Sequence, residues 1–278
     1  MYIVSTPIGN LEDFSRRAEG VLRSVSLIAA EDTRHSRKLL DHFGISTPMQ
    51  AVHEHNEVQV VPQLIERLQG GEDLALISDA GTPLVSDPGF VLVRAARQAG
   101  IEVQAVPGAS ALLAALAVSG LPTDRFVFEG FLPAKSRARR ERLLALKSEA
   151  RTLVLYESSH RIADCAGDLA DLYEPERPVC IARELTKMHE ESALMPVSAL
   201  PGWLAADANR CRGEFVLIVG GQPDHNPARQ AAEPLLRALL EELPPAAAAR
   251  LAAKLTDQPR KALYQLALEI RPEAGRVE

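Results

Sequence analysis

Four short stretches gather glycine, proline and carboxylates in a form that chemistry can use. They are Thr6-Pro7-Ile8-Gly9-Asn10-Leu11, Glu31-Asp32-Thr33-Arg34, the run Ser78-Asp79-Ala80-Gly81-Thr82-Pro83-Leu84-Val85-Ser86-Asp87-Pro88-Gly89, and Val106-Pro107-Gly108-Ala109-Ser110-Ala111. Glycine and other small residues let a ligand reach backbone N–H and C=O groups, and proline stiffens the loop. Asp79 can accept hydrogen bonds from ribose hydroxyls or an amine. Such a set suits a polar, roughly neutral nucleoside-like ligand better than a polyphosphate. Each loop taken singly also reads as an ordinary turn; four in register, two of them carrying acids, point to a site.

Several common chemistries lack their signatures. No Gly-x-Gly-x-x-Gly follows the first strand and no Gly-Lys-Ser/Thr closes a phosphate loop. His-Glu-x-x-His and Gly-x-Ser-x-Gly are missing as well.

The four stretches follow apolar runs that predict buried strands: Tyr2–Ser5, Leu27–Ala30, Leu74–Ser78 and Val103–Val106, with helical patterns between them. That alternation predicts βα units around a mainly parallel sheet, whose ligands bind beyond the carboxyl ends of the strands. Ser119-Gly120-Leu121-Pro122 marks a boundary, giving a first α/β domain over 1–120 and a second over 121–222. In the second, Arg125–Glu129, Thr152–Tyr156, Val179–Ala182 and Glu214–Val219 are strand-like, with helices expected over Lys135–Ala150 and Ile162–Leu172 and some antiparallel pairing. After Gly220-Gly221-Gln222-Pro223 and a polar linker comes a helical tail, 228–278, with helices over Pro234–Leu243, Ala246–Leu255 and Arg260–Ile270. Its tight turns suggest a helix-turn-helix unit.

The chain has 278 residues, 46% of them hydrophobic and 24% charged, enough for more than one compact domain without a covalent staple. Cys165, Cys180 and Cys211 are odd in number and widely spaced, so neither a zinc site nor a disulfide framework is expected, and a reducing cytoplasm fits. The first residues read as a strand and not as a leader, and no membrane-spanning run is present. With 31 Lys and Arg against 37 Asp and Glu, the net charge of −6 argues against wrapping nucleic acid by bulk charge, so any such contact must be local.

The strings Thr-Pro-Ile-Gly-Asn-Leu, Ala-Glu-Asp-Thr-Arg, Ser-Asp-Ala-Gly-Thr-Pro and Pro-Gly-Ala-Ser-Ala together resemble the tetrapyrrole-methylase superfamily of S-adenosylmethionine enzymes. Further strings resemble its branch that methylates cytidine 2′-oxygens of small-subunit rRNA. These are His53-Glu54-His55-Asn56-Glu57, Leu121–Arg125, Gly130-Phe131-Leu132-Pro133, Tyr156–Arg161, Ala182–Lys187, Arg212–Phe215 and the tail segment Ala262–Leu268. The match spans nearly the whole chain. It departs from the usual pattern at Ala109, where proline is common, and at Ser159, again in place of proline; both bear on loop stiffness.

The resemblance implies two α/β domains with S-adenosylmethionine in the cleft between them, a homodimer, and 16S rRNA in the 30S subunit as partner. Carried over by motif, the cofactor would meet Pro7, Ile8, Gly9, Asp79, Ala80, Gly81, Thr82, Leu84, Val85, Pro107, Gly108 and Ser110, then Glu157, Ser158, Leu185 and Gly213. A ribose 2′-hydroxyl is a weak acid, so a proton acceptor or nearby positive charge is expected. Glu31, Asp32, His53 and His55 are the candidate acceptors; Arg34, Lys187 and Arg183 are candidates for orienting the RNA backbone. Asp32 and Arg34 also read as a helix cap or an ion pair, and the His and Glu residues at 53–57 read equally as a hydrogen-bonded loop. Between Pro133 and Arg151 stand seven basic residues against Glu141 and Glu149. Lys135, Arg137, Arg139, Arg140 and Arg142, with Arg161 and Arg183, are therefore expected to contact RNA phosphates, which give salt-dependent affinity and not sequence reading. A solvated helix face is the competing reading of that segment. Two other functions remain open: a porphyrinoid or corrinoid methyltransferase of the same fold, and a ribosome-binding factor that holds S-adenosylmethionine or another nucleoside without methyl transfer.

Overall fold

The computed structural model describes residues 1–222, 227–256 and 258–270. The first half alternates strand and helix: β1 (Tyr2–Val4), α1 (Arg16–Ser24), β2 (Leu27–Ala30), α2 (Thr33–His42), β3 (Met49–Ala51), α3 (Glu57–Gln69), β4 (Leu74–Ile77), α4 (Phe90–Gln98), β5 (Gln104–Val106) and α5 (Ala111–Val118). The five strands form one parallel sheet in the order β3-β2-β4-β1-β5.

Every residue of β2 and β4 is buried. Their side chains alternate between two cores, Ile28, Ala30, Ala75 and Ile77 on one face and Leu27, Ala29, Leu74 and Leu76 on the other. That is the pattern of strands covered by helices on both sides. The chain leaves β1 toward β2 on one side and crosses from β4 to β5 on the other, so the carboxyl ends of β1 and β4 face a crevice where the winding direction reverses.

The second sheet contains β6 (Phe126–Phe131), β7 (Thr152–Ser158), β8 (Pro178–Arg183), β9 (Glu191–Pro196) and β10 (Glu214–Val219), ordered β6-β7-β10-β8-β9. Only β6 and β7 pair in parallel, with a register slip between Phe128 and Gly130. One face packs on α6 (Ser136–Leu146), α7 (Ile162–Leu172) and α8 (Leu200–Ala205). The other receives α5: Ala115 and Leu116 pack against Val154, Cys180, Ala182, Val216 and Ile218. The boundary expected at 119–122 falls between the sheets, yet residues 1–221 form one compact unit. The apolar sequence Ala-Leu-Leu-Ala-Ala-Leu-Ala-Val of α5 belongs to the first half by chain order and to the second sheet by packing.

The second unit, described by itself, contains α9 (Pro227–Glu242), α10 (Pro245–Leu255) and α11 (Arg260–Ile270). Ala232, Leu236, Ala248, Ala249, Ala252, Leu263 and Leu266 form its core. α9 starts seven residues before the expected Pro234 and continues through it. Pro223, residues 224–226 of the expected linker, and the end of the tail, 271–278, lie outside the described residues. Among the described residues, no helix is long and apolar enough to cross a membrane.

Candidate active site

Backbone pairing brings the loops after β1, β4 and β5 together. Thr6 and Gly81 exchange N–H···O=C bonds of 2.8 and 3.1 Å. The Ser5 and Thr82 hydroxyls share a 2.9 Å hydrogen bond, and Thr82 also donates to the Ala109 carbonyl at 3.1 Å. Gly81 has φ +79°, and a Cβ there would stand 3.2 Å from Ile8 Cγ2, so glycine is needed both for the turn and for the close approach.

These loops line a cavity of about 460 Å³, within the ~300–1,000 Å³ range of small-molecule sites. The first half contributes Ile8, Glu31, Asp79, Ala80, Gly81, Thr82, Val85, Ser86, Asp87, Ser110 and Ala111. The second contributes Phe131, Tyr156, Glu157, Ser158, Ser159, Ala182, Leu185, Gly213, Glu214, Phe215 and Val216. Of the expected cofactor residues, Pro7, Gly9, Leu84, Pro107 and Gly108 do not line the cavity. A Cβ on Gly108 would press on Ser5, and Leu84 holds φ 72° within the tight loop after β4.

The acidic groups do different work. The Asp32 N–H donates to Asp79 Oδ1 at 3.1 Å, while the Asp32 carboxylate turns away from the cavity to cap α2 and pair with Arg34. The hydrogen bonds from Arg34 lower the Asp32 pKa to about 2, which makes it a poor proton acceptor. Its neighbour Glu31 faces the cavity. Burial first, and then the charges of Asp87 and Asp79, raise its pKa. Burial likewise raises Asp87, against a hydrogen bond with Ser78. Arg34 is 90% exposed in its side chain and its guanidinium stays on Asp32.

His53 and His55 stand at the carboxyl end of β3, their rings 6.0 Å apart, and do not line the cavity. Two other residues of that string shape the fold: Asn56 Oδ1 accepts from the His53 N–H, and buried Glu57 accepts from the Val91 and Leu92 N–H groups at the start of α4.

On the opposite wall, Glu157 is buried and paired with Arg161. The Tyr156 hydroxyl accepts from the Leu112 N–H at 3.1 Å, and burial raises its pKa. Lys187 Nζ sits 2.8 Å from both Glu184 Oε1 and Glu214 Oε2. Burial would lower the Lys187 pKa, but the two carboxylates outweigh it and the net shift is upward, so Lys187 is a charged strut on Glu214, which lines the cavity. Gly213 has φ +96° and lies directly against the Glu184 side chain. The same turn grips the first half: Asn10 N–H donates to Thr186 Oγ1 at 3.1 Å, and Gly9 lies against Lys187.

The basic segment differs from expectation. Arg139 is buried on Asp168 at 2.7 Å and is closed to an RNA phosphate. Arg140 pairs with Asp168 and Asp171, Arg142 with Glu129, Arg137 with Glu141, and Lys147 with Glu174. Arg183 is buried, donating to the Arg212 and His189 carbonyls, and Arg161 donates to the Leu132 carbonyl. Distant acids have consumed most of the local excess; Lys135 and the solvent-facing Arg137 retain open positions. Among the described residues no His, Cys, Asp or Glu cluster fits a metal ion.

Sequence reasoning did not single out Asp87, Phe131, Tyr156 or Glu214 for the wall. Asp87 was legible as the second acid of the loop after β4. The rings of Phe131 and Tyr156 required the strand register.

The arrangement offers carboxylates, backbone polar groups and apolar side chains to one ligand, while the cations beside it are committed to Glu157 and Glu214. It favours a ligand with positive charge and hydroxyl groups and disfavours a polyphosphate.

Residues 1–201 match the family model described as Tetrapyrrole (Corrin/Porphyrin) Methylases, and residues 226–271 match the RsmI C-terminal HTH domain. The chain is 57% identical to ribosomal RNA small subunit methyltransferase I of Xylella fastidiosa (strain Temecula1), over 95% of this chain and 97% of that one. It is 53% identical to the protein of the same name from Pseudomonas aeruginosa, over 97% and 96%. The fold is similar to that of uroporphyrin-III C-methyl transferase from Thermus thermophilus complexed with S-adenyl homocysteine, with TM-score 0.52 and 19% identity over 79% of this chain and 96% of that one. The chain belongs to the tetrapyrrole methylase family, in the branch of the ribosomal RNA small subunit methyltransferases I.

Proposed function

We propose that this chain methylates a cytidine ribose 2′-oxygen in the decoding region of 16S rRNA, on the 30S subunit, using S-adenosylmethionine. The observation that carries the reading is the acidic cavity at the β1–β4 crevice, in a chain of this branch. The cavity fits the cofactor by its chemistry. Asp79 and the backbone around Gly81 suit hydroxyl and amine groups, Ile8, Val85 and Leu185 suit the apolar surfaces, and the surplus of carboxylates suits a sulfonium. Bound there, S-adenosylmethionine supplies an activated methyl group.

The chain must align the acceptor oxygen and take its proton. Glu31 is the acceptor we assign, because it faces the cavity with a raised proton affinity whereas Asp32 is spent on Arg34. Lys187 holds Glu214 in the wall. Lys135 and Arg137 are the cations of the basic segment best placed for RNA phosphates. The reading includes action in the cytoplasm as a homodimer; exposed Leu113 and Val118 on α5 and Leu194 on β9 supply apolar surface for a second copy.

The test is transfer of labelled methyl to undermethylated 30S subunits, naked 16S rRNA and a tetrapyrrole mixture, with the RNA product mapped by nuclease digestion. Label on a decoding-region cytidine ribose is expected. Label on the tetrapyrrole alone, or none despite cofactor binding, would overturn the reading.

A further inference from the structure

We infer that Phe131 is the platform on which the base of the methylated nucleotide stacks, an inference that rests on the reading just proposed. An unbroken β6 would place Phe131 on the same face as Val127, which packs with the α6–α7 core. The register slip at Gly130 reverses that alternation. Phe131 therefore joins Phe128 on the Tyr156 side, their rings 5.6 and 5.0 Å from the Tyr156 ring and steeply inclined to it. Leu132, next in sequence, takes the core position that Phe131 has given up. Bulges re-aim side chains beside active sites in this way.

The re-aimed ring is not used as core. Phe131 lines the cavity and yet is 55% exposed, which places it at the rim. Its backbone is held on both sides. Gly130, at φ +63°, lies so close to Ser86 that a Cβ there would stand 2.8 Å from Ser86 Oγ. Leu132 is buried, and its carbonyl accepts from Arg161 at 2.6 Å. An exposed aromatic on a fixed frame loses little freedom when it binds. RNA-binding proteins recognise unpaired bases by stacking them on such rings. A base stacked at this rim lies next to the cavity in which its ribose must react, which requires a nucleotide turned out of its helix.

The test compares wild type with Phe131→Leu, which keeps apolar bulk without a ring, and Phe131→Tyr, which keeps the ring. Steady-state methyl transfer to undermethylated 30S subunits is measured alongside S-adenosylmethionine binding by calorimetry. Phe131→Leu is expected to lower kcat/KM for the subunit about 5- to 160-fold, the contribution of one base–aromatic stack, with cofactor Kd unchanged and Phe131→Tyr near wild type. An active wild type with Phe131→Leu equal to it overturns the platform alone, as does a Leu defect matched by an equal loss of cofactor affinity. A wild type that methylates no small-subunit RNA overturns the proposed function and the platform with it.

Discussion

The backbone N–H of Asp32 donates to Oδ1 of Asp79 at 3.1 Å, tying the loop after β2 to the loop after β4. The bond sends two adjacent acids in opposite directions: Glu31 into the cavity and Asp32 outward onto Arg34. Asp79→Ala removes both this tie and a cavity acceptor, so S-adenosylmethionine affinity is expected to fall roughly 10- to 100-fold by calorimetry. Asp32→Ala keeps the backbone N–H and loses the α2 cap together with the exposed ion pair to Arg34. It is expected to lower the thermal midpoint while cofactor affinity and turnover hold.

Asp87 gives a stability prediction with a definite sign. Its folded pKa is raised, chiefly by burial, so its stabilising contribution is present below its unfolded pKa and is lost as pH rises through the folded one. Asp87→Asn should therefore raise the midpoint of the ligand-free protein at pH near 7, by roughly 1–3 °C, and the gain should vanish below the ordinary carboxylate range near pH 3.9. Melting curves across pH check this. The same variant should bind S-adenosylmethionine less tightly relative to S-adenosylhomocysteine, because only the former carries the sulfonium charge.

Arg139 and Arg137 separate structure from RNA contact within one helix. Arg139→Met leaves the buried Asp168 with the Arg140 guanidinium as its remaining ion-pair partner and is expected to cost about 1–3 kcal/mol in chemical denaturation. Arg137→Ala should leave stability nearly unchanged and reduce the slope of log affinity for RNA against log salt by about 1. Equal salt slopes for Arg137→Ala and wild type would remove that residue from the RNA surface.

What the sequence disclosed follows from where each signal resides. β2 and β4 were readable because both faces are buried, so four apolar residues stand in a row. β3 and β9 escaped because they are partly exposed edge strands: Met49-Gln50-Ala51 is too short to show a pattern, and Glu191–Pro196 carries a weak alternation that ends in proline. The loops of the cavity were legible from their glycines and acids. The choice between Glu31 and Asp32 was not, since it depends on a hydrogen bond to a residue 47 positions away. The basic segment misled for the same reason: Asp168, Asp171, Glu129 and Glu174, which neutralise it, lie elsewhere in the chain.

Gly130 connects the β6 bulge to the loop that carries Asp87. Alanine there must hold φ +63° and meet Ser86, so Gly130→Ala is expected to cost about 1–2 kcal/mol from the backbone alone and to lower kcat/KM by displacing Phe131 and Ser86. Denaturant unfolding together with steady-state transfer measures both effects. Wild-type values in both would show that the bulge tolerates a side chain.

The most direct measurement is the single-turnover rate of methyl transfer to undermethylated 30S subunits as a function of pH, at saturating cofactor, for wild type and Glu31→Gln. With Glu31 as proton acceptor, the wild-type rate falls as pH drops through a pKa raised above the ordinary glutamate value. Glu31→Gln should bind S-adenosylmethionine yet react about 10²- to 10⁴-fold more slowly, without that inflection. A Glu31→Gln protein with the wild-type rate and pH profile would contradict the account, because the proton would then leave by a route that does not involve the acidic wall of this cavity.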